Sequence, residues 1–192
     1  MFGWLAHAFA SVRPFSAAVD VDISRCTVAM RGDELAACLP LLGSVLCLPA
    51  PRGAHETAPL PPGWLVERRE LAPLLHTHEL MVSSMIGADG PREWIDAMDA
   101  GGHLCARLHL LPDTDYLAWD ALLVRSRALP SAPLSAQRLA CRATHAELLH
   151  FRVRRIGVLN LLESAPPQTL SPLGRGIAHE VARTAAVALA TG

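Results

Sequence analysis

No stretch of this chain approaches the ~20 consecutive apolar residues that cross a bilayer as a helix, although 51% of its 192 residues are hydrophobic. A membrane partner is therefore not expected. Excess charge of either sign is missing too: 17 Lys and Arg stand against 18 Asp and Glu, a formal net charge of −1. The positive field that gathers nucleic acid or an anionic membrane is absent, so neither is expected as a partner. The apolar opening, residues 1–10, has no basic segment ahead of it, and no signal peptide is expected. Cys-x-x-Cys pairs are lacking. The five cysteines, Cys26, Cys38, Cys47, Cys105 and Cys141, are odd in number and widely spaced. That excludes zinc ribbons and thioredoxin-like motifs. It fits small buried hydrophobes in a reducing cytoplasm.

The familiar enzyme signatures are missing as well: no G-x-S-x-G, no P-loop, no G-x-G-x-x-G and no H-E-x-x-H. Leu173-Gly174-Arg175-Gly176 is glycine-rich but follows no clear strand, so it makes a poor phosphate cradle. No internal repeat and no low-complexity segment occurs. What remains is an apolar globular chain, long enough for one full core and marginal for two domains.

The clearest local pattern lies in residues 93–111. Leu104, Ala106, Leu108 and Leu110 alternate with His103, Cys105, Arg107 and His109, the period-two signature of a half-buried strand. Asp99-Ala100-Gly101-Gly102 supplies a turn, because glycine accepts positive φ without penalty. After Pro112, Asp113-Thr114-Asp115 can cap a helix through Trp119, Leu122 and Leu123.

Upstream, Thr27-Val28-Ala29-Met30 is strand-like. Asp33-Glu34 opens a helix through Leu35, Cys38, Leu39 and Leu42 that Pro40 must bend or end. Residues 44–48 read as a buried strand. Prolines 49, 51, 59, 61 and 62 bracket an edge strand or loop around His55. Residues 64–66 and 79–85 are further strand candidates, and a turn falls at 86–91. At the start of the chain, Trp4, Leu5 and Phe9 suit a docked helix or a frayed end alike.

Residues 127–133 form the best linker. Beyond it, Thr144-His145-Ala146-Glu147 matches a capping box and predicts a helix through Leu148, Leu149 and Phe151. The continuation through Val153 and Val158 suits helix or strand. Ser171-Pro172 begins a last helix over 172–189, with Leu173, Ile177, Val181 and Ala188 as its buried stripe.

In order along residues 30–127, these segments resemble the HemS/ChuX family of cytosolic haem-handling proteins. Asp99…Gly102, Arg107 and Asp115…Trp119…Leu122 resemble its closing hairpin and helix. Residues 31–59 resemble its earlier helix and two strands, with Gly43-Ser44-Val45 at the first strand and Arg52-Gly53 and His55-Glu56 at the second. Two departures stand out. Glu70-Leu71-Ala72-Pro73-Leu74 lacks the arginine the family often carries there, and Pro49-Ala50-Pro51 replaces an Arg-Asn.

The resemblance implies an α+β fold: a stacked antiparallel β-sheet core of the HemS/ChuX type, flanking helices and a helical C-terminal tail. It implies a unit over 1–127, with 128–192 packed on the same domain. It implies haem as cofactor, a cytoplasmic location and a homodimer. Three function classes follow: a haem carrier or storage protein, a haem-degrading enzyme, or a non-haem interaction protein on the same scaffold.

Nine histidines supply candidate iron ligands, since imidazole is a common axial ligand. His76-Thr77-His78 would present both rings on one strand face, with Leu80 and Val82 following His78 as apolar walls. His145 stands beside Leu148 and Leu149, with Glu147 near enough in sequence to orient its ring. The order of preference is His78, then His145, with His76 the alternate on the strand. Arg107 resembles the family's basic strand residue and could pair with a haem propionate. His103 shares its expected face.

Overall fold

The computed structural model describes residues 23–51, 58–87, 90–130 and 143–190. The readings at residues 1–17, at Arg52-Gly53 and at His55-Glu56 lie outside the described residues. So do residues 131–133 of the 127–133 linker.

The fold is α+β, as expected. Ten strands of the described residues form one sheet in the order β3-β9-β8-β2-β6-β5-β4-β1-β7, with β10 beside β8. They are β1 (Ile23–Ala29), β2 (Gly43–Pro49), β3 (Trp64–Val66), β4 (Glu79–Gly87), β5 (Gly90–Met98), β6 (Leu104–Thr114), β7 (Arg127–Leu129), β8 (Ala146–Ile156), β9 (Leu159–Ala165) and β10 (Leu189–Ala190). Only β3–β9 and β8–β10 pair in parallel; the other ladders are antiparallel. The helices are α1 (Gly32–Cys38), the four-residue α2 (Ala72–Leu75), α3 (Tyr116–Arg125) and α4 (Pro172–Thr184).

β2 shows why the sheet is buried on both sides. Val45 and Cys47 enter one core, with Leu35, Leu74, Leu108, Trp119 and Leu122. Leu46 and Leu48 enter the other, with Leu111, Ile177, Ala178 and Ala182. A strand between two cores reads as a continuous apolar run. Each buried leucine there contributes about 1.5–3 kcal/mol.

Pro40 does end α1, which passes into a 3₁₀ turn at Leu39–Leu42. Asp115 caps α3 as expected, its Oδ1 accepting from the Leu117 and Ala118 amides at 2.9 and 3.0 Å. Residues 127–129 are not linker but β7, paired with β1 along Thr27–Ala29.

The helix expected from the 144–147 capping box does not form; residues 146–156 are β8. Ala146 and Leu148 pack into the α4 core, while Leu149 and Phe151 enter the other. That alternation is period two, and β8 completes the ladder of β2, whose backbone groups would otherwise lie buried and unpaired. The capping residues go elsewhere: Thr144 Oγ1 meets the His145 ring, and Glu147 pairs with Arg68.

α4 ends at Thr184, short of 189, because the chain turns through Ala186 at φ 54° and pairs as β10. Its buried residues are Gly174, Ile177, Ala178 and Ala182. Leu173, expected inside, is 57% exposed, and Ala188 lies beyond the helix.

Candidate functional site

Period two breaks in β6 where it pairs with β5. Ala97 of β5 faces Ala106, but Met98 faces Leu104, so Cys105 is an extra residue in a bulge. A bulge re-aims side chains, and here it sends Cys105 into the same core as Ala106. The expected polar face of His103, Cys105, Arg107 and His109 is therefore split.

Leu104 and Cys105 together wall a cavity of about 670 Å³. The end of β2 and the following Pro51 form another side, Val66 and Leu60 a third, and Ala72 and Pro73 a fourth. Arg69, Glu70, Thr144 and His145 supply its polar groups. Mostly apolar walls with a few convergent polar groups, at this volume, have the character of small-molecule pockets.

His145 is held at the wall between two groups. Its Nδ1 lies 2.9 Å from Thr144 Oγ1, and its Nε2 lies 3.8 Å from Glu147 Oε2. Glu147 is itself fixed by Arg68, whose Nη1 and Nη2 each donate at 3.0 Å. A third bond from Arg68 Nη2 to Ser164 Oγ, 2.7 Å, ties the group to β9. The hydrogen bond to Glu147 raises the Arg68 pKa. Burial, with a smaller push from Asp99, raises the Cys105 thiol to about 12. Cys105 is thus a neutral thiol at physiological pH and not a nucleophile.

The other expected site residues lie apart from this wall. His76 and His78 are not on a strand: His76 caps α2, and β4 begins only at Glu79. The backbone of His78 bridges β5 and the end of β1, its amide donating to Met98 O and its carbonyl accepting from Met30 N. Its side chain is exposed, whereas Leu80 and Val82 are buried. The apolar walls expected around His78 are therefore not there. His103 sits at the hairpin turn, 71% exposed, with Nδ1 3.2 Å from Asp99 Oδ2.

Arg107 is engaged within the sheet. Its Nε and Nη2 donate to Asp96 Oδ1 and Oδ2 at 2.6 and 2.9 Å, and its guanidinium lies 5.7 Å from the Trp94 ring centre. Next to it, His109 packs on Trp94 at 5.9 Å between ring centroids. Burial, then Arg107 and Arg92, lower the His109 pKa to about 3, so its ring is neutral.

Among the described residues, no cluster of three or more His, Cys, Asp or Glu could hold a bare metal ion. No described helix is long and apolar enough to cross a membrane. Arg68, Arg69 and the cavity itself escaped the sequence reading. Arg68 and Glu147 are 79 residues apart, and no local pattern joins them.

No protein-family model matches the chain, and no curated protein matches it. Among solved structures, holo-PhuS, a haem-binding protein from Pseudomonas aeruginosa, superposes with a TM-score of 0.37 at 19% identity, over 58% of this chain and 39% of that one. The haem-degrading enzyme ChuS of Escherichia coli O157:H7 gives 0.38 at 16% identity, over 60% and 40%. The chain thus spans about two-fifths of the length of either protein.

Proposed function

We propose that this chain is a haem-binding protein, a cytoplasmic carrier or store, and that the cavity beside β6 takes the haem. The observation that carries the reading is the pairing of an apolar cavity of about 670 Å³ with one imidazole and one guanidinium on its walls. Haem is a flat apolar ring with two carboxylates and an iron that accepts imidazole. Pro49, Leu60, Val66 and Leu104 would cover ring faces, Arg69 would meet a carboxylate, and His145 would offer a nitrogen to iron. Thr144, 2.9 Å from Nδ1, would hold the His145 ring in orientation, as partners of metal-bound histidines do, leaving Nε2 for the iron. The sequence resemblance over residues 30–127 supports the same reading.

A second reading, a non-haem interaction protein on the same scaffold, is favoured by Arg107. The basic residue that would meet a propionate is bound by buried Asp96 instead.

Titration of hemin into the protein, followed by visible spectroscopy, separates these. The expected result is a saturable Soret band that shifts or bleaches in His145→Ala and persists in His78→Ala and in the exposed control His179→Ala. No spectral change in the unmodified protein would leave the non-haem reading. Loss in His78→Ala alone would move the ligand to His78. Verdohaem or biliverdin on adding reductant would make the protein a haem-degrading enzyme.

A further inference from the structure

β8 is longer than the ladder beside it. Its pairing with β2 covers only Glu147 to His150, opposite Cys47 to Ser44. From there to Ile156 it pairs with β9 alone among the described residues. Among the described residues no strand pairs with the outer side of β8 over 151–156; the 3₁₀ turn Leu39–Leu42 packs at its β2 end, and beyond that turn the strand is a sheet edge. Phe151 is fully buried and anchors the ribbon, whereas residues 152–158 are exposed on both faces. The exposed set is apolar and basic at once. Val153, Ile156 and Val158 are 37%, 43% and 84% exposed, and the exposed Arg152, Arg154 and Arg155 lie among them.

We propose that this edge docks an extended, acidic segment of another protein, which adds a strand to β8. Three observations converge. An open edge offers main-chain hydrogen bonds to an extended polypeptide. The exposed valines and isoleucine offer contacts for alternate side chains. Three arginines within four residues, on a chain of net charge −1, set the sign of the partner. Arg154 already pairs with Glu163 of β9 at 2.6 Å, the arrangement an incoming acidic strand would repeat on the other edge.

A second copy of this chain fits the edge poorly. Outward-facing backbone groups alternate along an edge, so a two-fold antiparallel pairing must be centred on a residue. Centres at Arg152, Val153, Arg154 or Arg155 each set one arginine directly opposite another, which is destabilising. The same charges that repel a copy are a common protection of exposed edges.

The test uses the full chain and a fluorescein-labelled octapeptide of alternating Glu and Val. Fluorescence anisotropy should show binding about tenfold or more tighter than to the Lys–Val analogue, weakened by added salt. N-methylation of alternate peptide amides should weaken it about tenfold, because the ladder is lost. Arg152→Glu with Arg155→Glu should weaken it by a similar factor while circular dichroism stays unchanged. Amide hydrogen exchange should slow at 151–156 in the complex. No binding, equal binding of the N-methylated peptide, or protection elsewhere would overturn the proposal. So would tighter binding of a single-stranded oligonucleotide, or a dimer that Val158→Asp dissolves.

Discussion

His109 and Asp96 are neighbours on the face of the sheet that also carries Arg107, and each makes a distinct prediction. The folded His109 holds its pKa at about 3, below the ordinary 6.5. The unfolded chain therefore takes up the proton first as pH falls. Stability from this residue is intact above about pH 6.5 and is lost between there and about pH 3, by up to about 1.4 kcal/mol per pH unit. In urea unfolding at stepped pH, His109→Leu should show a shallower loss over that window than the unmodified protein. Asp96, only 1% exposed, neutralises Arg107. Removing one partner strands the other charge, so Asp96→Ala should cost about 3–5 kcal/mol. Adding Arg107→Ala should cost less than the sum of the two single changes, and denaturant midpoints read both.

At the scale of elements, close approach decides what a glycine does. Gly32 opens α1 against α2, and a Cβ there would lie 2.1 Å from the Leu75 carbonyl oxygen. The obstacle is backbone, which cannot swing away. Gly32→Ala should destabilise by about 1–3 kcal/mol despite alanine's helix propensity. Gly176 in α4 meets nothing within 4 Å. Gly176→Ala should instead stabilise by about 0.5–1 kcal/mol, because alanine is the better helix former. Thermal melts of the two variants should move in opposite directions. The N-terminus of α4 is also tied to the sheet: Asp113 accepts from the Ser171 amide and hydroxyl at 2.8 and 2.9 Å, so α4 and β6 move together.

The whole molecule leaves apolar surface uncovered on α3, where Leu117 and Val124 are 81% and 78% exposed. Leu41, on the neighbouring 3₁₀ turn, is 59% exposed. The proposed homodimer would cover such a face, and apolar patches of this kind mark interaction surfaces. Multi-angle light scattering at micromolar concentration should give twice the 20.6 kDa chain mass. Leu117→Asp with Val124→Asp should return the monomer mass without unfolding it. A monomer mass for the unmodified chain would refute the pairing and leave the β8 edge proposal untouched.

Local order was legible in the sequence wherever it depends on neighbours within a turn or a strand. The hairpin at 93–111 with its alternation from Ala106 to Leu110, the Asp115 cap of α3, the burial of β2 and the break at Pro40 are all present in the structure. They follow from side-chain period, φ restriction and capping chemistry, which act over a few residues. Tertiary structure decided the rest. Residues 144–151 satisfy a helix-start pattern, yet the open edge of β2 draws them into the sheet. The bulge that turns Cys105 inward depends on register against β5. Arg107 meets Asp96 only because the hairpin sets them opposite each other. His145 reaches the cavity wall, and His78 the surface, through contacts between strands far apart in the chain. Those pairings are settled by which distant backbone groups need partners and which faces need covering, and no window of sequence contains both sides of that exchange.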